Sequence, residues 1–556
     1  MCFDIMCFDI TLQSWSGTAP LTVGRAASIN LPGSGARQAR WWIMQLPPWT
    51  SWGNRGIQCF DLPAKPSIEG AMKDKSQIPL ALVDLFAGCG GLSLGMENAG
   101  FTPVFVNELN PDAMATYLAN RHHEVGGKPF SERGNLHCYD ANELQGERLE
   151  QMVADLLALG LTIPDLAGAK NASNEGDLDL LAGGPPCQGY SGIGHRRSYS
   201  VDKKDLPSNQ LFGRMAKVIR RLRPRIFLFE NVRGILTSKW SREGDDMIWP
   251  EVWGEFCKIP GYHVRYTLVR ASDYGVPQNR PRVLLVGIRE DIVRASSIVD
   301  LSVDDKDAVK CGFLPKGDPS EAPGIEELLG DLVDPAAGRT LVKGDFPAGK
   351  FETKKYPRAP QSAIQGMLRA APRAHEARTG ELTDHEYSRH AKRIVDKFAY
   401  MIRHGGEIPI EARTKKFAQK VLPKAWGNGR PSITATSMPD DYVHYSQPRI
   451  LTVREWARLQ LFPDWYRFIG KRTTGGIRRA GNPREGNFDR EVPKYTQIGN
   501  AVPVGLAERV GAHFKRVLED ALGNAGQGRL SRSDRTGDAG EARDRGGLVG
   551  ADTDRA

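Results

Sequence analysis

The sequence predicts an α/β protein: a doubly wound, mostly parallel sheet with a smaller, irregular second domain. Three observations predict it. Short apolar runs alternate with amphipathic helical stretches, the runs end in Gly, Asn or acidic residues, and the alternation lapses over one long block before resuming near the C-terminus.

The first strand runs from Leu80 to Phe86 and breaks at Ala87-Gly88-Cys89-Gly90-Gly91. The following helix puts Leu92, Gly95, Met96 and Ala99 on one face, the spacing of a buried stripe. Thr102 to Val106 is a second strand, ending at Asn107-Glu108. Asn110 then caps a helix that has Pro111 at its first position. Later strands are expected at Leu178 to Ala182, Arg225 to Phe229, His263 to Val269 and Arg282 to Ile288, with an amphipathic helix from Gln210 to Leu222. After about residue 290 the pattern gives way to a stretch rich in Lys, Arg, Gly and Pro. Order resumes at Leu451 to Gln460, where Thr452 and Glu455 form a capping box. A Gly- and Arg-rich loop follows from Gly470 to Pro493, and a last helix is expected from Val502 to Leu522.

These divisions give a domain plan. Residues 1–77 form an irregular extension that opens on a perfect five-residue repeat, Met1 to Ile5 and Met6 to Ile10, and carries no periodicity. A translation start assigned upstream of the true one would produce such a segment. Residues 78–290 form the main α/β domain, 291–447 the second domain, and 448–522 a return segment completing the first. The tail, 523–556, is rich in Gly, Asp, Arg and Ser and is expected to be disordered.

Composition narrows the classes. The chain has 556 residues, 40% of them hydrophobic, which suits a soluble globular protein. No apolar run is long enough to span a membrane and no secretory pattern opens the chain, so the cytoplasm is expected. The eight cysteines, at 2, 7, 59, 89, 138, 187, 257 and 311, include no C-x-x-C pair, which argues against a zinc site or a disulfide framework. A net charge of +9 and a pI near 9.0 favour a polyanionic partner.

Chemistry concentrates where strands end. The glycine turn, with an acid at the end of the next strand, forms a nucleoside-binding pattern, and Glu108 lies 20 positions past Gly88, where a ribose-binding acid belongs. The string A-G-C-G-G is not G-x-G-x-x-G, so a ligand with a nucleoside and a small carboxylate fits better than NAD. S-adenosylmethionine is such a ligand. Gly183-Gly184-Pro185-Pro186-Cys187-Gln188-Gly189-Tyr190-Ser191 follows a buried strand, and its two prolines aim one thiol. Glu230-Asn231-Val232 closes another strand and puts a carboxylate at the same sheet edge; half desolvated, that acid should have a raised pKa. Gln278-Asn279-Arg280-Pro281-Arg282 offers two guanidinium groups for a carbonyl oxygen or a phosphate. Each motif alone is an ordinary polar strand end. Their gathering at the loop edges of one sheet is not.

Together these motifs resemble the DNA (cytosine-5)-methyltransferase family of bacterial restriction-modification systems. The resemblance runs through D-L-F-A-G-C-G-G (84–91), G-G-P-P-C-Q-G-Y-S (183–191), E-N-V (230–232), Q-N-R-P-R (278–282), R-E-W-A-R-L-Q (454–460) and Q-I-G-N-A-V-P (497–503), in the family's order. It implies a Rossmann-like catalytic domain and a target-recognition domain in the block between. It implies Cys187 as the nucleophile at cytosine carbon 6, Glu230 at ring nitrogen 3, and Arg282 with Arg280 on the base oxygen. For S-adenosylmethionine it implies Asp84, Phe86, Gly88, Gly90, Gly91, Glu108, Leu109, Asp140, Pro186 and Asn500. For double-stranded DNA it implies Gln188 and Ser191 near the flipped base, and Arg430 and Thr434 near the recognition loop. A restriction endonuclease acting separately, and a monomeric enzyme, complete the expectation.

Three rivals are weighed against it. A cytosine-methylating enzyme for RNA would carry a Cys-Phe-Thr signature and a compact recognition region, whereas Cys311 is followed by Gly312-Phe313 and the block is long. A non-catalytic DNA-binding paralogue would have lost the cysteine, the glutamate or the glycine turn. An NAD-type oxidoreductase leaves the Pro-Pro-Cys shelf and the paired arginines unexplained.

Overall fold

Successive side chains of a strand point to opposite faces, so a run that is apolar throughout demands cover on both sides. The computed structural model meets that demand. It describes residues 80–165, 176–186, 210–241, 244–303, 305–335, 355–413, 419–423, 441–474 and 491–536, all within the unit Lys73–Ala556. Among these, seven strands form one sheet: β1 (Ala81–Leu85), β2 (Thr102–Asn107), β3 (His137–Cys138), β4 (Leu180–Gly183), β5 (Ile226–Val232), β6 (Tyr262–Arg270) and β7 (Pro281–Arg289). Their order is β3-β2-β1-β4-β5-β7-β6. Paired neighbours are parallel except at β7, which runs against both β5 and β6.

In chain order the helices are α1 (Gly91–Asn98), α2 (Pro111–Ala119), α3 (Gly146–Ala158), α4 (Leu211–Leu222), α5 (Ile248–Cys257), α6 (Glu290–Ala295), α7 (Ile325–Leu329), α8 (Ala363–Arg369), α9 (Lys392–Arg403), α10 (Val453–Arg458), α11 (Lys494–Asn500) and α12 (Val504–Thr536). Val83, Leu85, Leu181, Phe227, Phe229 and Leu285 face α2 to α5 in one core cluster. Leu82, Leu180, Ala182, Leu228, Leu284 and Val286 face α1, α6 and α12 in the other. The result is the doubly wound α/β sandwich expected, with its strand ends free for chemistry.

Local signals act where the sequence placed them. Asn110 Oδ1 accepts the Ala113 N–H at 3.1 Å. Thr452 Oγ1 accepts the Glu455 N–H at 3.2 Å and Glu455 returns a carboxylate to the Thr452 N–H at 2.8 Å. Glycine serves close approach at the α1–α12 seam, where a Cβ on Gly91 would stand 2.4 Å from the Val502 carbonyl and one on Gly95 would stand 2.5 Å from Ala507 Cβ.

Packing and helix bounds run past two of the expected divisions. Beyond residue 290, Ile292, Val293, Val299, Ala308, Cys311, Phe313 and Leu314 pack into the sheet's second core cluster. Past residue 523, where a disordered tail is expected, α12 continues to Thr536 without a break. Once its first half is packed, each further residue needs only one more backbone hydrogen bond to propagate the helix. The 1–77 extension lies outside the described residues, as do 537–556.

A third cluster joins the expected recognition block to the return segment. Ile325, Leu328, Leu329, Leu368 and Leu382 pack with Trp456, Leu459, Phe462, Tyr466 and Ile498, and the cluster reaches Cys89 and Leu94 beside the glycine turn. Buried arginines fasten the same junction. Arg458 donates to Asp331 at 2.6 Å and to Asp464 at 2.6 Å, and Arg454 donates to Thr383 Oγ1 at 2.8 Å. Residues 475–490 lie outside the described ones, but both ends of the 470–493 loop meet: the Lys494 N–H donates to the Lys471 carbonyl at 2.9 Å, and Lys471 pairs with Glu491 at 2.9 Å.

Candidate active site

The site begins at the turn between β1 and α1. Phe86 has a φ of 58°, a left-handed value costly for a side chain with a Cβ, and such strain collects where a backbone must serve a ligand. Gly88 follows with a φ of 57°, and among the described residues a Cβ there would meet nothing within 4 Å, so the turn faces open space there. Glu108 stands across that space. Its carboxylate accepts the Gly88 N–H at 2.9 Å and the Asn110 N–H at 2.7 Å, which aims it while leaving lone pairs for a hydroxyl donor. Burial pushes that carboxyl above the usual carboxylate value, against the pull of both N–H groups.

Asn107, noted in the sequence only as a strand end, organises this edge. Its Oδ1 accepts the Phe86 N–H at 3.2 Å, while its Nδ2 donates to the carbonyls of Cys138 at 3.0 Å and Tyr139 at 2.9 Å. That brings Asp140, which caps a short 3-10 turn by accepting the Asn142 N–H at 2.9 Å, to the same rim. Leu109 is 68% exposed and Tyr139 50%, so two apolar surfaces flank Glu108.

Asp84 is placed differently. It is fully buried in β1 and accepts a hydrogen bond from Ser93, whose hydroxyl also meets the Tyr117 hydroxyl at 2.8 Å. Burial pushes its carboxyl up to about 7. It therefore supports the turn from beneath rather than facing the opening. Cys89 is also buried, its thiol pushed up to about 12 by desolvation and donated to the Gln497 carbonyl, which makes it inert.

The second edge lies at the ends of β4, β5 and β7. The Glu230 carboxylate touches Gly184 so closely that a Cβ there would stand 2.8 Å from Oε2. Asn231 Nδ2 donates to the Pro185 carbonyl at 3.2 Å, holding the Pro185-Pro186 shelf against β5. Arg282 Nε lies 2.5 Å from Glu230 Oε1, and both side chains are about nine-tenths buried. The acid thus has a guanidinium partner, placed by the antiparallel register that sets Val232 against Arg282.

Arg280 is 1% exposed, and its Nη2 donates to the Gly499 carbonyl at 2.7 Å. It ties the Q-N-R-P-R motif to the end of α11. Gln278 and Gln460 reinforce the seam, donating to the Leu459 carbonyl at 3.0 Å and the Ile498 carbonyl at 2.7 Å. The seam ends at Asn500, which is exposed. Cys187, Gln188, Ser191, Arg430 and Thr434 lie outside the described residues. The described chain stops at Pro186, one position short of the thiol.

Comparisons with known proteins agree with this arrangement. A family model described as C-5 cytosine-specific DNA methylase matches residues 80–161 and 162–516. The Type II methyltransferase M.DdeI of Desulfomicrobium norvegicum is 30% identical over 461 residues, covering 78% of this chain and 89% of the relative. The Type II methyltransferase M.XorII of Xanthomonas oryzae pv. oryzae is 28% identical over 452 residues, covering 78% and 84%. A solved E. coli structure, described as a DNA modification methyltransferase encoded within a prophage, shares the fold with a TM-score of 0.52 at 23% identity, covering 79% of this chain and 99% of that one. The glycine turn, the acid-guanidinium pair beside the Pro-Pro shelf and the extent of these matches lead to one conclusion: the chain belongs to the C-5 cytosine-specific DNA methylase family and is a DNA (cytosine-5)-methyltransferase.

Proposed function

We propose that this methyltransferase uses S-adenosylmethionine to modify one cytosine within a specific duplex sequence, through a covalent adduct on Cys187. The observation that carries this reading is the contact of the Glu230 carboxylate with Gly184, three positions before the thiol and paired to Arg282. Carbon 5 of cytosine is a poor nucleophile, so a thiolate must first add at carbon 6. Glu230 meets ring nitrogen 3 and neutralises charge as the sulfur–carbon bond forms, and Arg282 holds the base oxygen. The enamine so formed takes the methyl group at carbon 5. Loss of the carbon 5 proton then breaks the bond to sulfur and restores both the ring and the thiolate. The base must leave the duplex stack first, at a cost of a few kcal/mol.

The residues at the first edge suit the donor. Open space at Gly88, a carboxylate aimed at it and flanking apolar surfaces match a ribose, its hydroxyls and an adenine. Bound there, the donor supplies an electrophilic methyl group on a sulfonium. Phe86, Leu109 and Asp140 would hold its adenine, Glu108 its ribose and Asn500 its amino acid end. The basic block toward residue 447 would read sequence in the major groove, with Arg430 and Thr434 near the bases. The Type II relatives support a role in protecting host DNA from a separate endonuclease, and a monomer acting in the bacterial cytoplasm completes the proposal.

The test is trapping. A duplex carrying 5-fluorocytosine, which has no carbon 5 proton to lose, should leave a denaturation-resistant conjugate through Cys187. Cys187→Ser should keep donor binding and lose turnover by at least about 1000-fold, and Glu230→Gln should slow adduct formation about 100-fold or more. Turnover retained by Cys187→Ser sinks the covalent reading. Bisulfite sequencing of DNA from cells expressing the enzyme should reveal the recognition sequence, and that DNA should resist a matching endonuclease.

A further inference from the structure

The glycine turn is gripped from behind by side chains outside every catalytic motif. Arg121 follows the C-cap of α2 and is 1% exposed, an expensive place for a charge unless each nitrogen is satisfied. All three are. Nε pairs with Glu97 at 2.7 Å, Nη1 donates to the Tyr117 carbonyl at 2.8 Å and the Tyr466 hydroxyl at 3.3 Å, and Nη2 donates to the Gly90 carbonyl at 3.2 Å. The guanidinium also stacks 3.4 Å from the centre of the Tyr117 ring. Tyr466, fully buried, donates its own hydroxyl to the Cys89 carbonyl at 2.5 Å.

Two consecutive carbonyls of the turn are therefore held, one by a cation from α2 and one by a phenol from the return segment. The fit leaves no slack: a Cβ on Gly90 would stand 2.7 Å from Arg121 Nη1. On the opposite side, Gly88 faces open space and Glu108. Fixing the Cys89 and Gly90 carbonyls fixes the tilt of those peptide planes, and with it the surface the turn presents. A Leu or Met at 121 would fill the space and leave the orientation of the Gly90 carbonyl unset.

We infer that Arg121 and Tyr466 are positioning residues for the methyl donor, holding the Cys89-Gly90 peptides so that the open face of the turn fits the nucleoside. The inference rests on the donor reading above. It also makes the donor site a joint product of the two sequence halves, since Tyr466 reaches the turn only when the return segment has closed on α1 and α2.

Tyr466→Phe removes a single hydroxyl, and Arg121→Lys keeps a cation for Glu97 while giving up the fork that reaches Gly90. Donor affinity is measured by calorimetry with S-adenosylmethionine, at a temperature where circular dichroism shows each variant fully folded. Each variant should weaken donor binding and raise the donor KM about tenfold, the scale of one lost hydrogen bond involving a charged or buried group, with kcat and the KM for DNA within about twofold. Donor affinity within about twofold of the parent in both folded variants overturns the inference, even if their melting temperatures fall. A parent enzyme that does not bind the donor overturns the donor reading itself, and this inference with it.

Discussion

Asp84 shows how a single residue gains its properties from its surroundings. Its sequence context, an acid within D-L-F-A-G, suggested a ligand contact. The structure seals it in β1 beneath α1, where burial raises its carboxyl from an ordinary 3.8 to about 7. A carboxyl that holds its proton more tightly when folded favours the fold fully below its unfolded value, and that contribution is lost as pH rises through the folded value. Asp84→Asn is neutral at every pH and retains the acceptor for Ser93. Its melting temperature relative to the parent should climb between pH 5 and pH 8, as read by calorimetry. Parallel pH profiles for the two proteins would show that Asp84 does not titrate in that window. Glu230 makes the complementary point. Its position at a strand end was legible, but its pairing with Arg282 arises from the register of β5 against β7.

Elements were legible in proportion to how locally they are specified. α2 starts at its Asn-Pro signal and α10 at its capping box, because each cap involves residues no more than three positions apart. Thr452→Ala should therefore cost about 1 kcal/mol in urea unfolding, while Thr452→Ser should cost much less. A larger loss from Ala would point to the hydroxyl's second partner, His385 Nδ1 at 3.0 Å. Elements without such signals escaped. β3 is two residues long and α11 seven, too short for periodicity to show. In α5, Pro250 sits in the first turn, where a helix tolerates it although it interrupts the sequence pattern. α3 does carry a local signal, with Leu149, Met152, Val153 and Leu156 on one buried face.

At the scale of the whole molecule, buried ion pairs hold the block expected to recognise DNA to the return segment. Arg458 is fully enclosed between Asp331, from the block, and Asp464, from the return segment. Removing Arg458 takes away the cation that Asp331 and Asp464 share, leaving Arg369 on the first and Arg454, 4.0 Å away, on the second, so Arg458→Met should destabilise the fold by about 3 kcal/mol in denaturant titration. A loss under about 1 kcal/mol would mean that water reaches the cluster and replaces the arginine. Arg449 and Glu455 form a second enclosed pair at 2.6 Å. Desolvation would raise the Glu455 carboxyl, but Arg449 outweighs it and holds the group well below its usual range. None of these partners is predictable from spacing. Asp331 and Arg458 are separated by 127 positions, and nothing in the block's composition distinguishes Asp331 from its surface acids.

The sequence by itself determined the strand ends, the glycine turn, the Pro-Pro shelf before Cys187 and the identity of the acid at Glu230. Backbone restriction and capping act between neighbours, so such features are written where they operate. Tertiary structure alone decided that Arg282 pairs with Glu230 while Arg280 reaches the Gly499 carbonyl, and that Arg121 and Tyr466 grip the turn. Those choices depend on which distant surfaces meet when apolar faces are buried, because a charged or hydrogen-bonding group acquires its role only from the partner that burial brings within reach.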